Sequence, residues 1–253
     1  MGSRLPLRMS ERFVELKSEY SGALDKRPIL RDFITSFGLG HVTYFGVFPQ
    51  WGADQKHQLI TTYPVSWESH YFERKYDRLD PVLLQAMKGV LPFDWEQIRK
   101  DDREVRDFFG EAGEFGISEN GLSIPVRGPT GDLALFSVTS AEMTRREWGL
   151  MKAQLLPDLI YLAHLLHTEV TERVREAAPE EARRLTAREK EVLSWSARGK
   201  TSWETGRILG LSERTVDFYL KNAMFKLGAA NKTQAVSKAI SMGALTLPFR
   251  IDL

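Results

Sequence analysis

The side chains of this chain that could do chemistry are better equipped to bind than to react. Arg214, Phe218, Lys221 and Phe225 recur at spacings of 4, 3 and 4, with Asn222 near their edge, which is the repeat of one helix face. A guanidinium can bond guanine bidentately, an amide can bond adenine, and an aromatic edge can touch a thymine methyl. Lys200, Thr201, Ser202 and Lys226 fall at helix ends, where side chains and free N–H groups meet phosphates. Reactive groups are scarce. The chain has no cysteine, which excludes disulfides, thiolate-bound zinc, iron–sulfur clusters and a cysteine nucleophile, and fits a reducing, cytosolic setting. His41, His57, His70, His164 and His167 are scattered. The one close pair, His164 and His167, has no acidic partner in register, so surface or core histidines are expected there. A metal site or a general base for hydrolysis is not, and the chain reads as no enzyme.

The composition places these groups in a globular chain. Its 253 residues are 42% hydrophobic and 27% charged, enough for one large domain or two ordinary ones. The net charge of +1 is an average over unlike parts. Residues 183–253 hold 13 Lys plus Arg against 6 Asp plus Glu, a balance of +7, so the preceding part carries −6. One of two modules could therefore meet a polyanion. The most apolar stretch, residues 155–166, contains Pro157, Asp158 and His164 and falls short of the roughly 18 apolar residues of a membrane span. Pro6 stands where a myristoylation signal needs Ser or Thr. No membrane association is expected, and the localisation reads as cytoplasmic.

The elements that position these groups follow from periodicity and punctuation. Residues 10–20 and 26–37 read as amphipathic helices, the second stopping at Gly38. Residues 41–48 and 58–62 read as strands with a loop between them, and residues 67–75, 81–88 and 101–114 as helices. Residues 122–127 and 132–139 alternate around Gly128, Pro129, Thr130 and Gly131, a hairpin signal. Helices flanking an antiparallel sheet make an α/β/α sandwich. Thr144 and Glu147 form a capping box that opens a long helix. Its apolar stripe runs Trp148, Met151, Leu155, Leu159, Leu162, Leu166 and Val170, with Leu156, Ile160 and Ala163 as a second row. That width fits either a broad core face or a dimerisation surface. From residue 168 to 184 the chain is charge-dense and reads as a linker.

Beyond the linker, Thr186 with Glu189 and Thr201 with Glu204 are further capping boxes, and Gly199 and Gly210 are helix stops. Ser212 caps the next helix only three residues after Leu209, the tight Gly-containing connection of a helix-turn-helix. In that helix Val216, Leu220, Ala223 and Leu227 share the inner face. Asn231 to Gln234 caps a fourth helix reaching Ile240.

The segments LTAREKEVL (185–193), GKT (199–201), LSERTV (211–216), KN (221–222), KLG (226–228) and NKTQA (231–235) closely resemble the four-helix DNA-binding domain of LuxR-type transcription factors. Glu189, Leu193 and Gly199 fall on that family's hallmark positions. Upstream, YPVSW (63–67), Tyr71, Asp80 with Pro81, PFDW (92–95) and GLSIPV (121–126) resemble the acyl-homoserine lactone domain of the quorum-sensing branch. A phosphorylated receiver domain is not indicated, because Asp101 and Asp102 open a polar helix instead of following an apolar strand.

The resemblance implies a fold and a ligand site. The fold class is α+β: an autoinducer-binding and dimerisation domain at residues 1–170, a linker at 171–184, and a helix-turn-helix domain at 185–253. Trp67 would donate its indole N–H to the lactone carbonyl and Asp80 would accept the ligand amide N–H, while Tyr63 and Ser137 would bond the acyl-side carbonyl. Tyr71 and Trp95 would wall the head group, and Gly121 would keep the backbone close. An acyl- or aryl-homoserine lactone is then the signal, with no other cofactor. A homodimer on a palindromic double-stranded DNA operator is the working form, with DNA contacts from Lys200, Thr201, Ser202, Arg214, Thr215, Phe218, Lys221, Asn222 and Lys226. RNA polymerase is a further expected partner. A regulator of the same build that answers to another small molecule, or to none, stays open.

Overall fold

The computed structural model describes residues 11–12, 15, 27–48, 56–128, 131–177, 185–241 and 244–245. Most of the helix expected over residues 10–20, the loop at 49–55, the tip of the hairpin at 129–130 and the linker residues 178–184 lie outside that set. The chain divides into two compact units, one ending at Val170 and the other containing the residues from Thr171 onward.

The first unit is built on a five-stranded sheet. Helix α1 (Arg27–Ser36) buries Ile29, Leu30, Phe33 and Ile34, an i, i+1, i+4, i+5 stripe, and Gly38 turns the chain at φ +64°. Strands β1 (Leu39–Phe48) and β2 (Lys56–Thr61) follow, then helices α2 (Val65–Glu73) and α3 (Pro81–Met87) with a 3-10 turn at Tyr76–Arg78 between them. A two-residue strand β3 (Phe93–Asp94) leads into a second 3-10 turn, Trp95–Gln97, and helix α4 (Arg103–Glu114). Strands β4 (Gly121–Arg127) and β5 (Leu133–Ser140) complete a sheet of order β2-β1-β5-β4-β3. Strands β4 and β5 pair antiparallel from Gly121 opposite Thr139 to Arg127 opposite Leu133.

This sheet is covered on both faces. Residues 121–126 of β4 and 134–140 of β5 are all buried, although the sequence there alternates as a half-exposed strand would. Side chains two apart along a strand share a face. One face carries Val42, Tyr44, Phe136 and Val138, none more than 1% exposed. The opposite face carries Thr43, Phe45, Leu135 and Ser137, which line a cavity. The polar positions of the alternation therefore point into a hollow and not into solvent.

Helix α5 (Arg145–Ala177) crosses the Tyr44 face, where the Tyr44 hydroxyl meets His167 Nδ1 at 2.8 Å. Its capping box forms as expected, with Glu147 Oε2 accepting the Thr144 N–H at 2.9 Å. Trp148, Leu159, Leu162, Ala163, Leu166 and Val170 are buried, whereas Met151, Leu155, Leu156 and Ile160 are half-buried. The helix runs on through residues 168–177, a stretch whose composition reads as linker. Val174 is buried there and extends the Leu162, Leu166, Val170 stripe by one more turn.

The second unit holds four helices: α6 (Ala187–Ala197), α7 (Ser202–Leu209), α8 (Glu213–Lys226) and α9 (Lys232–Ser241). Both capping boxes close, Thr186 with Glu189 and Thr201 with Glu204. Gly210 ends α7 in the left-handed region at φ +67°, and Ser212 caps α8. Asn231 Oδ1 accepts the Gln234 N–H at 2.8 Å and starts α9. Leu185, Val192, Leu193, Val216, Leu220, Ala223, Leu227, Ala235 and Ala239 form one core, which contains the whole inner face expected of α8.

Candidate functional site

The hollow in the first unit is a cavity of about 310 Å³ between the sheet, α2, α3 and α4. Tyr63, Trp67, Tyr71, Asp80, Trp95 and Ser137, which lie up to 74 residues apart, all line it. Its remaining wall is largely apolar and aromatic, including Phe45, Leu59, Phe72, Leu83, Phe108, Phe109 and Leu135. Glu68, Asp77 and Asp80 are its charged lining; no Lys or Arg appears among the described lining residues. Such a chamber favours an uncharged ligand and opposes an anion.

Each polar group in it is held by a local device. Pro64 precedes α2 and brings Trp67 into its first turn, where the indole is 3% exposed and packs against Tyr71, Tyr76, Phe108 and Phe115 at centroid distances of 5.5–6.1 Å. The Trp67 N–H has no hydrogen-bond partner among the described residues, so a donor is available to a ligand. Asp80 caps α3. Its Oδ1 accepts the Val82 and Leu83 N–H groups at 2.7 and 3.3 Å, and its Oδ2 accepts the Tyr71 hydroxyl at 3.0 Å. Burial outweighs those three hydrogen bonds and pushes the Asp80 carboxyl up to about 6. Burial likewise raises the Tyr63 and Tyr71 phenols, which stay neutral and able to donate.

Trp95 is fixed from two sides. Its indole N–H donates to Ser123 Oγ at 2.7 Å, and the Ser123 and Ser137 hydroxyls meet at 2.7 Å. Trp95 is therefore occupied with Ser123, and its contribution to the cavity is its ring. Asp94 caps the Trp95 turn through the Glu96 N–H at 2.9 Å and pairs with Lys152 of α5. A Cβ at Gly121 would lie 2.2 Å from the Trp95 ring, so the close approach that this glycine permits is to the indole wall. On the sheet, the Thr43 and Thr61 hydroxyls meet at 2.7 Å, and Tyr63 is hydrogen-bonded toward Thr43.

Behind Trp67 stands a polar clamp. Glu111 of α4 accepts the Tyr76 hydroxyl at 2.7 Å, His70 Nε2 at 2.7 Å and Arg74 at 2.9 Å. Burial acts against its charge, but these partners prevail and hold the carboxyl at about 2. Asp94 and Ser123 lie inside the family-like segments without a role of their own in the sequence, and Glu111 lies outside them. Ser123 had a signal, since strand alternation puts it on the face of Gly121; Glu111 had none, because its partners come from another helix.

The second candidate surface is the outer side of α8. Arg214, Phe218, Lys221 and Phe225 are exposed and Asn222 is half-buried beside them. The residues expected at phosphates are partly committed elsewhere. The Lys226 ammonium donates to Glu189 Oε2 at 2.8 Å and helps hold that buried carboxyl below its usual range against the effect of burial. Lys200 donates to Glu204 Oε1 at 2.9 Å, and the Thr201 N–H and hydroxyl both donate to Glu204 Oε2. The Thr215 hydroxyl meets Ser212 Oγ at 2.7 Å within the α8 cap. Ser202 is half-buried at the start of α7. Lys226 thus ties α8 to α6, whereas Lys200 makes one partly exposed i, i+4 contact with Glu204.

The histidines are dispersed. His167 is buried on Tyr44, and His164 Nδ1 lies 2.8 Å from the Ile160 carbonyl one turn back. Among the described residues no group of three or more His, Asp or Glu is placed to hold a metal ion. No described helix is long and apolar enough to cross a membrane.

Comparison with known proteins adds two family matches, one described as "Autoinducer binding domain" over residues 27–170 and one as "Bacterial regulatory proteins, luxR family" over residues 183–239. The transcriptional activator protein VanR of Vibrio anguillarum is 34% identical over 210 residues, covering 81% of this chain and 85% of that protein. The transcriptional activator protein AnoR of Acinetobacter nosocomialis is 30% identical over 220 residues, covering 86% and 90%. The putative HTH-type transcriptional regulator y4qH of Sinorhizobium fredii is 35% identical over 191 residues, which span 74% of this chain and 57% of that longer protein. Among solved structures, the crystal structure of Escherichia coli SdiA is similar with a TM-score of 0.66 at 26% identity, covering 93% of this chain and 97% of that one.

Proposed function

Because the chain belongs to the LuxR family of autoinducer-binding transcriptional regulators, we propose that its signal is a homoserine lactone held in the cavity of the first unit and that its output is operator binding by a homodimer. The observation that carries the reading is the cavity itself. It sets the Trp67 indole, a donor, and the Asp80 carboxylate, an acceptor, in a largely apolar and aromatic wall. An acyl-homoserine lactone has the complementary pattern of carbonyls, one amide N–H and an apolar tail. Trp67 donates to the lactone carbonyl, Asp80 accepts the amide, and Tyr63 and Ser137 serve the acyl carbonyl. Tyr71 and Trp95 close the head-group walls. Leaving those ligand groups unpaired in such a chamber would cost about 1–3 kcal/mol each, so the set selects as well as holds.

Pairing of two copies is supported by α5, which leaves Leu150 and Tyr161 64% and 57% exposed. They lie eleven residues apart and so on one side of the helix. A two-fold dimer presents two α8 helices to the half-sites of a palindrome. Arg214, Thr215, Phe218, Lys221 and Asn222 are the proposed groove contacts, with Lys200, Thr201 and Ser202 at the phosphates. As the relatives are named activators, contact with RNA polymerase belongs to the same reading. Ligand acts by stabilising the folded, dimer-competent unit through mass action.

The test is a gel-shift titration of the full chain on its operator across a series of acyl- and aryl-homoserine lactones. At least one lactone should increase operator affinity, and Trp67→Phe or Asp80→Asn should weaken that response. Affinity indifferent to every lactone, and to both substitutions, would refute the ligand assignment.

A further inference from the structure

The core of the second unit is complete without two of the largest apolar side chains on α8. Val216, Leu220, Ala223 and Leu227 are at most 7% exposed, whereas Phe218 is 58% and Phe225 88% exposed. Both rings share their face with Arg214 and Lys221, which are also exposed. An anionic partner that also offers an apolar group matches this face. The major groove of DNA does so at one base only, through the C5-methyl group of thymine. The balance of +7 over residues 183–253 supplies the attraction to phosphate.

We propose that Phe218 reads a thymine methyl within each half-site, and that Phe225 does not. The inference rests on the reading of α8 as the DNA-recognition helix. At about 1.5 Å per residue, Phe218 lies roughly 6 Å along the axis from Arg214 and Phe225 roughly 16 Å. Base edges are met by the N-terminal part of a recognition helix. Phe218 falls there, with Arg214 one turn before it and Lys221 and Asn222 one turn after, whereas Phe225 stands in the last turn of α8. Phe218 also has a ring contact on its own helix. Its ring meets that of Tyr219 edge-on at 5.8 Å and 65°, and Tyr219 packs against the domain core. Less ordering is then needed on binding. The Ser212 cap and the Lys226 to Glu189 ion pair fix the two ends of the helix.

The experiment uses the full chain, purified with a mixture of acyl-homoserine lactones, to select duplexes from a random-sequence library. In the best duplex, each thymine of one half-site is then replaced in turn by deoxyuridine, which removes only the methyl. One position should weaken binding about fourfold, the factor for one methyl-sized group leaving an apolar contact. Phe218→Ala should bind more weakly and lose the difference between thymine and deoxyuridine at that position, while Phe225→Ala should retain it. A selected site with no common thymine, or no effect of deoxyuridine on the unmodified chain, overturns the proposal. So does a Phe218→Ala protein that still distinguishes the two bases. Failure to retain any duplex would be a different result, overturning the DNA-binding reading and this inference with it.

Discussion

Asp80 carries a structural task beside the ligand contact proposed for it. One oxygen caps α3 and the other takes the Tyr71 hydroxyl, so the carboxylate proposed to accept the ligand amide also starts a helix. Its carboxyl titrates at about 6 in the folded chain against 3.8 free. Because the folded value is raised, Asp80 favours folding most below the free value, and that contribution is lost as pH rises through about 6. A ligand amide that donates to the ionised carboxylate reverses this preference and releases a proton. Lactone affinity measured by tryptophan fluorescence should therefore increase from pH 5 to 7, and Asp80→Asn should flatten the profile. At pH 7, Trp67→Phe and Asp80→Asn should each weaken binding by about 1.5–3 kcal/mol, roughly ten- to a hundredfold. The residue types here are legible from sequence; the role of Ser123 is not, because it comes from lying 2.7 Å from both the Trp95 N–H and the Ser137 hydroxyl.

Among the elements, the joints are specific. Glu111 fastens α4 to α2 and the Tyr76 turn, and its depressed carboxyl contributes stability that is present above the usual value of 4.5 and lost as pH falls toward about 2. Glu111→Gln should lower the urea midpoint of the first unit at pH 7, and the gap from the unmodified chain should close in acid. In the second unit, a Cβ at Gly206 would lie 2.7 Å from the Leu211 carbonyl oxygen, backbone that cannot give way without opening the turn between α7 and α8. Gly206→Ala should cost about 1–3 kcal/mol, read as a lower melting temperature of that unit and weaker DNA binding. Helix starts were legible because a capping box is a local device: Thr144, Thr186 and Thr201 all cap where their spacing to Glu placed them. The end of α5 was not, because Val174 is a lone large apolar residue among charges and only its burial shows the stripe continuing past Val170. The strand β3 escaped notice for a similar reason, since two residues pairing with Leu122 and Ser123 carry no period of their own.

For the molecule as a whole, the proposed mechanism converts occupancy of a cavity into stability of a fold. A ligand bound only by the folded chain adds RT ln(1 + [L]/Kd), about 2.7 kcal/mol at a hundredfold excess over Kd. The melting temperature of the full chain should therefore climb with the logarithm of lactone concentration, and a metabolite outside the cavity's chemistry should leave it unchanged; differential scanning fluorimetry reads both. The charge split of −6 and +7 further requires that operator affinity fall steeply with salt while lactone affinity, which involves a neutral ligand, does not.

By itself the sequence determined what depends on neighbours along the chain: the capping boxes, the helix-turn-helix spacing, the inner face of α8, the antiparallel hairpin and the motif positions that resemble the LuxR family. Local hydrogen bonds and helical periodicity need no distant partner to be read. Only the tertiary structure decided which polar groups remain available. It spent Lys226 on Glu189 and the Trp95 N–H on Ser123, and set the Trp67 ring in the wall of the cavity. It also turned the polar side of an alternating sheet toward a cavity instead of toward water. Those outcomes depend on residues tens of positions apart meeting at hydrogen-bond distance, and no periodicity along the chain encodes such meetings.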